Sequence, residues 1–330
     1  MNRSGVNLKT QIGLETTPGT AVPANRFVPT QKWMMDLDVE TKTYRGQGSK
    51  VDNVHVRHKQ MAKGSVEGPL DYNSLPFLCD SVFNAASPTD VGSAHSVYQR
   101  TWLPGVSSAD TGKTYTVEQG DAVDCEVYPD VKVTSLDITA TQDDFSTKSN
   151  LIGQYPTLGQ TMTASPTEVT QQPVQRGDIN LYIDTTYAGL GTTQATEPID
   201  ESLTIPDKFK EIFVHNRTSA SFWDIVEIPY APKFTFSLIH NSFSRSLLAA
   251  LSADPYRYIR WEAQGALLAT ISTVPYYELI RLDMCVQFDK PEIIRGEDGP
   301  LGYKYNCTLM PDASLGSFIK IVSQNGRAAF

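Results

Sequence analysis

Strict alternation of apolar and polar residues is the feature that most limits what this 330-residue chain can fold into. The longest run places Ile280, Leu282, Met284, Val286 and Phe288 at every second position. A period of two puts these side chains on one face of a β-strand. Shorter runs of the same kind lie at 33–39, 136–140, 179–183 and 234–238, and turn signals such as "PGVSSADTG" and "GEDGPLG" separate the runs. The pattern predicts half-buried antiparallel strands.

Two segments have helical periodicity instead. In "NSLPFLCDSVF" (73–83) the apolar residues fall at i, i+3, i+4, i+7 and i+8, and "NSFSRSLLAALSAD" (241–254) also gathers its apolar residues on one face. Asn or Ser stands at the start of each segment, where helix caps are favoured. Two helices among many strands predict a mainly β, α+β fold in which each helix packs on a sheet.

The two halves of the chain resemble each other. Each predicted helix follows a strand through Asn-Ser-apolar, "SLDITATQ" is similar to "RLDMCVQF", and "KSNLIGQYP" is similar to "KYNCTLMPD", in the same order. This order favours an internal duplication into two similar modules. We therefore predict an N-terminal arm at 1–30, a first module at 31–156, a Thr/Gln/Pro-rich linker at 157–178, a second module at 179–315 and a C-terminal arm at 316–330.

Composition and charge limit the partners. Hydrophobic residues make up 40% of the chain and charged residues 20%, which is a globular balance. A net charge of −9 argues against general binding to nucleic acid. The four cysteines form no Cys-x-x-Cys pair, so we expect buried, reduced thiols. No secretory signal and no long apolar run is evident, and we expect a soluble protein with no membrane contact.

Motifs for catalysis are scarce. Gly112-Lys113-Thr114 ends like a phosphate-binding loop, but Ser107 stands where that loop needs glycine, and a strand pattern follows where it needs a helix. The chain has no His-Glu-x-x-His and no Gly-x-Ser-x-Gly string. We predict no catalytic residues, no metal, no cofactor and no enzymatic activity, although a catalytic group dispersed along the sequence is an alternative.

The opening of the chain carries a family resemblance. The string "GLETTPGTA" from Gly13 to Ala21, followed by "RFVPT" and "MMDLDVETKTYRGQGSK", resembles the start of tail tube (major tail) proteins of long-tailed bacteriophages. Two later segments, "VKVTSLDITATQDDFSTKSNLIGQYP" and "YYELIRLDMCVQFDKPEIIRGEDGPLGYKYNCTLMPD", resemble strand–turn–strand units of that family.

The resemblance implies a structural virion protein. Its modules would be β-sandwiches, each with one packed helix, joined in a ring with a continuous lumen β-barrel. Stacked rings would form the tail tube, the conduit for DNA ejection into the host. With an internal duplication three chains would form a pseudo-sixfold ring, and without it six chains would form a hexameric ring.

Partners and location follow from the same resemblance. The chain would bind itself, a tail terminator, and tail-tip and tape-measure proteins, while DNA would pass through the lumen without specific binding. Assembly would take place in the bacterial host cytoplasm, and the final location would be the phage tail.

Three sets of candidate site residues follow from the resemblance and the strand pattern. The inter-subunit arm would use Glu15, Thr17, Pro18, Gly19, Thr20, Arg26 and Phe27, and the inter-ring loop would use Tyr44, Arg45 and Gln47. Acidic lumen candidates are Asp36, Asp38, Glu40 and Asp283, because they alternate with apolar positions. An acidic lumen would repel DNA phosphates. An outer surface or a subunit contact is the alternative for each.

Other functions remain open at this stage. A carbohydrate- or receptor-binding β-sandwich of a tail tip would need an aromatic site, and Trp102, Trp223, Trp261, Tyr276 and Tyr277 could supply it or could be core and interface residues. A tail terminator or a capsid-decoration protein is a nearer alternative.

Overall fold

The computed structural model describes residues 8–91, 97–215, 220–251, 254–294 and 301–328 and is mainly β. Its strands are β1 (Lys9–Leu14), β2 (Arg26–Phe27), β3 (Lys32–Tyr44), β4 (Val54–Pro69), β5 (Thr89–Asp90), β6 (Tyr98–Trp102), β7 (Tyr115–Gly120), β8 (Cys125–Val133), β9 (Leu136–Ala140), β10 (Phe145–Gly153), β11 (Thr157–Gln160), β12 (Thr167–Glu168), β13 (Ile179–Asp184), β14 (Pro198–Ile205), β15 (Phe209–Ile212), β16 (Asp224–Glu227), β17 (Lys233–Ile239), β18 (Tyr256–Ile271), β19 (Val274–Phe288), β20 (Glu292–Ile294), β21 (Gly302–Leu309) and β22 (Ile319–Asn325). The α-helices are α1 (Leu75–Val82) and α2 (Ser242–Leu251).

The alternating runs and the two helical segments are confirmed. The five runs lie in β3, β9, β13, β17 and β19, and the helices begin within two residues of their predicted starts. Helix α1 begins where the carboxylate of Asp71 accepts the N–H groups of Asn73 and Ser74 at 2.9 and 3.0 Å. Pro76 then occupies the first turn, where a missing N–H costs little.

One antiparallel sheet runs through both halves of the chain. Its order is β3–β4–β10–β9–β14–β17–β21, and we call it the central sheet. The halves meet where β9 pairs with β14, from Leu136 opposite Ile205 to Ala140 opposite Glu201.

Two outer sheets cover one side of the central sheet. The first has the order β12–β2–β1–β7–β8–β11, and the second has the order β13–β18–β19–β22–β6–β5. Strand β8 leaves the first to pair with β10, and β19 leaves the second to pair with β21. Buried residues of both halves, among them Trp33, Trp102 and Trp261, form one continuous hydrophobic core. The four cysteines are buried and form no disulfide.

The halves repeat a strand order but differ in detail. In the first half β4 pairs with β10 and β10 with β9, and in the second β17 pairs with β21 and β21 with β19. Asp137 lies opposite Lys148, whereas Asp283 lies opposite Lys320 and Arg260. Every residue of α1 is buried, but only Ser244 and Leu247 of α2 are. The division into two similar modules stays a prediction.

The predicted arms need correction over their described parts. Residues 8–30 belong to the chain's own fold, because all six residues of β1 pair with β7 and Ile12 is buried. Residues 316–328 contain β22, which lies between β19 and β6 with Ile319 and Ile321 buried. The predicted linker contains β11 and β12, which pair with β8 and β2. Pairing with distant strands gives these short segments an order that their local sequence does not specify.

Two buried glutamates hold the N-terminal segment in place. Glu15 accepts hydrogen bonds from the hydroxyls of Thr114 and Thr116 at 2.8 and 2.9 Å and from the N–H of Asp130 at 2.9 Å. These bonds tie the end of β1 to β7 and β8, so the segment is anchored by charge-assisted contacts as well as by strand pairing.

Glu118 on β7 makes the second anchor. Its carboxylate accepts from the N–H of Ala24 at 2.9 Å, the amide of Gln11 at 3.0 Å, and the N–H and hydroxyl of Thr163 at 2.8 and 2.6 Å. Burial alone would raise the pKa of Glu118, but these hydrogen bonds outweigh it and lower the pKa below its usual value.

We expect deletion of residues 1–30 to prevent cooperative folding, because it removes β1 and uncovers Val117 and Trp33. Near-ultraviolet circular dichroism and thermal melting of the truncated chain measure this. A truncated chain that melts cooperatively within a few degrees of the full chain would contradict the assignment.

A matched pair of point variants isolates the anchor. Glu118→Ala leaves several buried donors unsatisfied and is expected to cost about 3 kcal/mol of unfolding free energy. Glu168→Ala, at an exposed position of β12, is expected to stay within about 0.5 kcal/mol of the parent chain.

Glu201 is a buried carboxyl at the junction of the halves. Its residue is 7% exposed and shares an apolar pocket with Ile138, Trp261 and Leu282. Burial raises the pKa of Glu201 to about 7, and the neighbouring Asp200 adds to the rise. The folded chain therefore holds this proton more tightly than the unfolded chain does.

The contribution of Glu201 to the stability of the chain should fall as pH rises from about 4.5 to 7, because ionised Glu201 is penalised in the folded state. We expect Glu201→Gln to gain about 3 kcal/mol over the parent chain at pH 8 and little at pH 4. Urea unfolding at both pH values measures the difference. An equal effect at the two pH values would show that the carboxyl does not titrate in this range.

Candidate assembly surfaces

The outer side of the central sheet is polar over most of its extent in both halves, except where Met61 and Ile152 are buried together with Phe209 and Phe222. Cross-strand partners share a face, so the strand register assigns its members. We call this surface the polar face, and it includes Lys32, Met34, Asp36, Asp38, Lys63, Ser65, Glu67, Asp137, Thr139, Ser146, Lys148, Asn150, Ser202, Thr204, Lys233, Thr235, Lys304, Asn306 and Thr308. The opposite side buries Trp33, Ile138, Leu203 and Phe234.

Charges of both signs are paired on the polar face. Lys63 lies 2.7 Å from Asp38, and Lys148 lies 2.6 Å from Glu67. All four side chains are exposed, so each pair contributes little stability but balances the local charge. The polar face therefore carries mixed charges and hydroxyls instead of the acidic character expected from the sequence.

The acidic candidates separate into two groups. Asp36, Asp38 and Glu40 alternate along β3 on the polar side, as expected. Asp283 does not join them, because it is 1% exposed and accepts two hydrogen bonds from Arg260 at 2.6 and 3.1 Å. The residues around it on β19 are buried on both faces, so alternation does not mark an exposed face there. Asp283 is a buried ion-pair partner and not a lumen residue.

Strand β3 has one edge that faces away from β4. Its backbone groups are hydrogen-bonded along one part of this edge and have no partner in the described residues along the next part. The N–H of Met35 donates to the side chain of Gln119 at 2.8 Å, and the same amide donates back to the carbonyl of Met35 at 3.1 Å. These backbone groups point away from β4, and so do those of Leu37 and Val39, which have the same parity. Among the described residues, the backbones of Leu37 and Val39 have no hydrogen-bond partner on that side.

The far end of the central sheet has a second short edge. Strand β20 pairs with β21 and, in the described part of the chain, with no other strand. Its middle residue, Ile293, is 52% exposed. Within the described ranges, the sheet therefore has an unpaired edge at each end.

The β3–β4 hairpin extends beyond the rest of the fold. Nearly all of residues 39–59 are exposed, including Tyr44 and Arg45, and Gln47 lies in the connecting loop. Residues 40–60 contain five Lys or Arg and two acidic residues, giving +3, whereas the whole chain carries −9. The inter-ring candidates thus lie on a basic projection of an acidic protein.

The arm candidates lie on their own chain. Glu15 is buried, Gly19 adopts φ +79° and donates its N–H to Glu15 at 3.0 Å, and Arg26 and Phe27 form β2. A left-handed φ favours glycine at this turn. Thr17, Pro18 and Thr20 are exposed on the same turn, so contact with another subunit stays a prediction for these three.

The aromatic candidates are mostly not available on the surface. Trp102 and Trp261 are buried, and Tyr276 and Tyr277 are half-buried on β19. Trp223 is 56% exposed beside β16.

The chain matches no family model and no curated protein. Within the described ranges, no helix is long and apolar enough to cross a membrane, and no three His, Cys, Asp or Glu side chains are grouped to hold a metal ion.

Alanine substitutions at two aspartates test whether Asp283 is a buried ion-pair partner. Asp283→Ala leaves the guanidinium of Arg260 without its partner and is expected to cost about 3 kcal/mol of unfolding free energy. Asp36→Ala, at an exposed position of β3, is expected to stay within about 0.5 kcal/mol. Urea unfolding compares the two, and equal small effects would place Asp283 on the surface after all.

Proposed function

We propose that this chain is a tail tube protein that assembles into stacked rings around a channel for DNA. The observation that carries the proposal is the central sheet, which has one buried side, one polar side and an unpaired edge at each end. The resemblance of the chain to phage tail tube sequences, which includes the string from Gly13 to Ala21 and two later segments, points to the same function.

Ring closure follows from the two edges. The open part of β3 on one chain would pair with the β20 edge of the next, and the arrangement is head-to-tail because the edges differ. Such contacts close into a ring when the rotation between chains permits it. Closure removes exposed edges, as in other barrels.

The polar face would line the channel. The Lys63–Asp38 and Lys148–Glu67 ion pairs neutralise two of its five lysines, which lowers the number of cations available to phosphates. DNA would then pass without specific binding. Hydroxyl and amide side chains between the charges keep the surface hydrated.

Symmetry and stacking extend the proposal. The repeated order β4–β10–β9 and β17–β21–β19 favours three chains in a pseudo-sixfold ring, with six chains as the alternative. The β3–β4 hairpin carries +3, and the remainder of the chain carries a net charge of −12, that is, −9 minus +3. Attraction between these opposite charges would bring the hairpin of one ring into contact with the adjacent ring. Tail terminator, tail-tip and tape-measure proteins are the expected partners in the virion, and the host cytoplasm is the expected place of assembly.

Val39→Pro tests the edge pairing. The N–H of Val39 points away from β4, so proline leaves the hairpin's own hydrogen bonds in place and removes one donor from the open edge. We expect the parent chain to self-associate with rising concentration and the variant to associate at least tenfold more weakly. Sedimentation velocity over a concentration series measures both.

Val39→Thr is the matched control, because it keeps the N–H and the branched shape, and it should associate like the parent chain. Circular dichroism shows whether each variant is folded. Normal assembly of a folded Val39→Pro chain, or a parent chain that stays monomeric at every concentration, would contradict the proposal.

A further inference from the structure

A cleft of about 630 Å3 opens between the β15–β16 hairpin and the first half of the chain. One wall contains Trp223 and Phe209, and the other contains the loop from Ala109 to Gly112. Asp130 and Lys132 of β8 form part of its lining. The volume is in the range of small-molecule sites.

Trp223 gives the cleft an exposed aromatic wall. It is 56% exposed, whereas Trp33, Trp102 and Trp261 are at most 2% exposed. A large apolar ring at a cleft mouth is costly to leave in water and is a common contact for bound ligands. The backbone of Trp223 is fixed to the hairpin, because its backbone N–H donates to the carbonyl of Ile212 at 2.7 Å.

Lys132 lines the same cleft with unused hydrogen-bonding capacity. It is 8% exposed, and its ammonium lies 3.4 Å from the carbonyl oxygen of Gly112 and 4.1 Å from the centre of the Phe209 ring. An ammonium has three donors, and a single long hydrogen bond leaves donors for another acceptor. Burial and the nearby Lys208 lower the pKa of Lys132.

Carboxylates also line the cleft. Asp130 accepts a hydrogen bond from the amide of Gln154 at 3.0 Å, and Asp224 is exposed at the rim. Glu227 also lines the cleft and is 3.0 Å from the ammonium of Lys208. These carboxylates make the cleft unfavourable for an anion, although Lys132 alone would attract one.

We propose that this cleft binds a short neutral oligosaccharide. A pyranose ring presents C–H groups that pack on an indole, and its hydroxyls both donate and accept, which matches Trp223, Lys132 and the carboxylates. An apolar ligand would bury the ammonium of Lys132 with a single long hydrogen bond, and an anionic ligand would meet carboxylates that include Asp130, Asp224 and Glu227. Every group belongs to one chain, so the site does not depend on ring assembly.

Ligand-observed NMR with maltotriose, cellotriose and triacetylchitotriose tests the site. We expect at least one trisaccharide to bind with a dissociation constant of about 1 mM. Trp223→Ala and Lys132→Met should each weaken that binding tenfold or more. Tyr256→Ala removes an aromatic residue that is 48% exposed outside the cleft and should bind like the parent chain.

Three results would overturn the proposal. They are no binding of any trisaccharide at about 10 mM, unchanged binding by Trp223→Ala, and tighter binding of a sulfated analogue than of the neutral sugar. If Lys132→Met fails to fold by circular dichroism, Trp223→Ala decides, because its side chain is exposed.

Discussion

The pairing of β9 with β14 is the contact on which the rest of the structure depends. Five residue pairs, from Leu136 opposite Ile205 to Ala140 opposite Glu201, join the two halves into one sheet. Just beyond β14, the ammonium of Lys208 lies 2.6 Å from Asp110 and 3.0 Å from Glu227, with Lys208 and Asp110 fully buried. Removing one partner of such a group leaves a buried charge unpaired, so this contact holds the halves in one arrangement.

The continuous sheet determines the surfaces that are left for assembly. The outer sheets cover one side of it with apolar residues. Most of the other side is polar, apart from Met61 and Ile152, which are buried together with Phe209 and Phe222. In the described ranges, the strand at each end of the sheet has a neighbour on only one side. The proposed assembly would pair these edges between chains, and the polar face would then line the channel.

Local sequence patterns were sufficient for five of the strands and for both helices. Alternation over five or more residues, as in Ile280 to Phe288, predicts a strand whichever strand it pairs with. The apolar spacing in 73–83 likewise predicts α1. The N-terminal and C-terminal segments were misread as arms, because β1 and β22 are short and owe their order to β7 and β19. Ile319 and Ile321 on either side of Lys320 in "SFIKIVSQN" are a short alternation that could have identified β22.

The candidate sites depended more strongly on long-range pairing. Asp283 looked like a surface residue, but its partner Arg260 lies opposite it in the β18–β19 hairpin, and only the hairpin register reveals the pair. The cleft joins Lys132 to Trp223, which are far apart in sequence, and of the two only Trp223 could be singled out as an aromatic candidate. Mixed charge on the polar face likewise follows from the register of six strand pairs.

Electron microscopy of the concentrated full-length chain tests the central claim most directly, because it shows how the sheet edges are used. We predict rings with an open centre that stack into tubes. Each ring would contain three chains and would look nearly sixfold at low resolution. Discrete monomers at every concentration, or closed particles without a central channel, would contradict it.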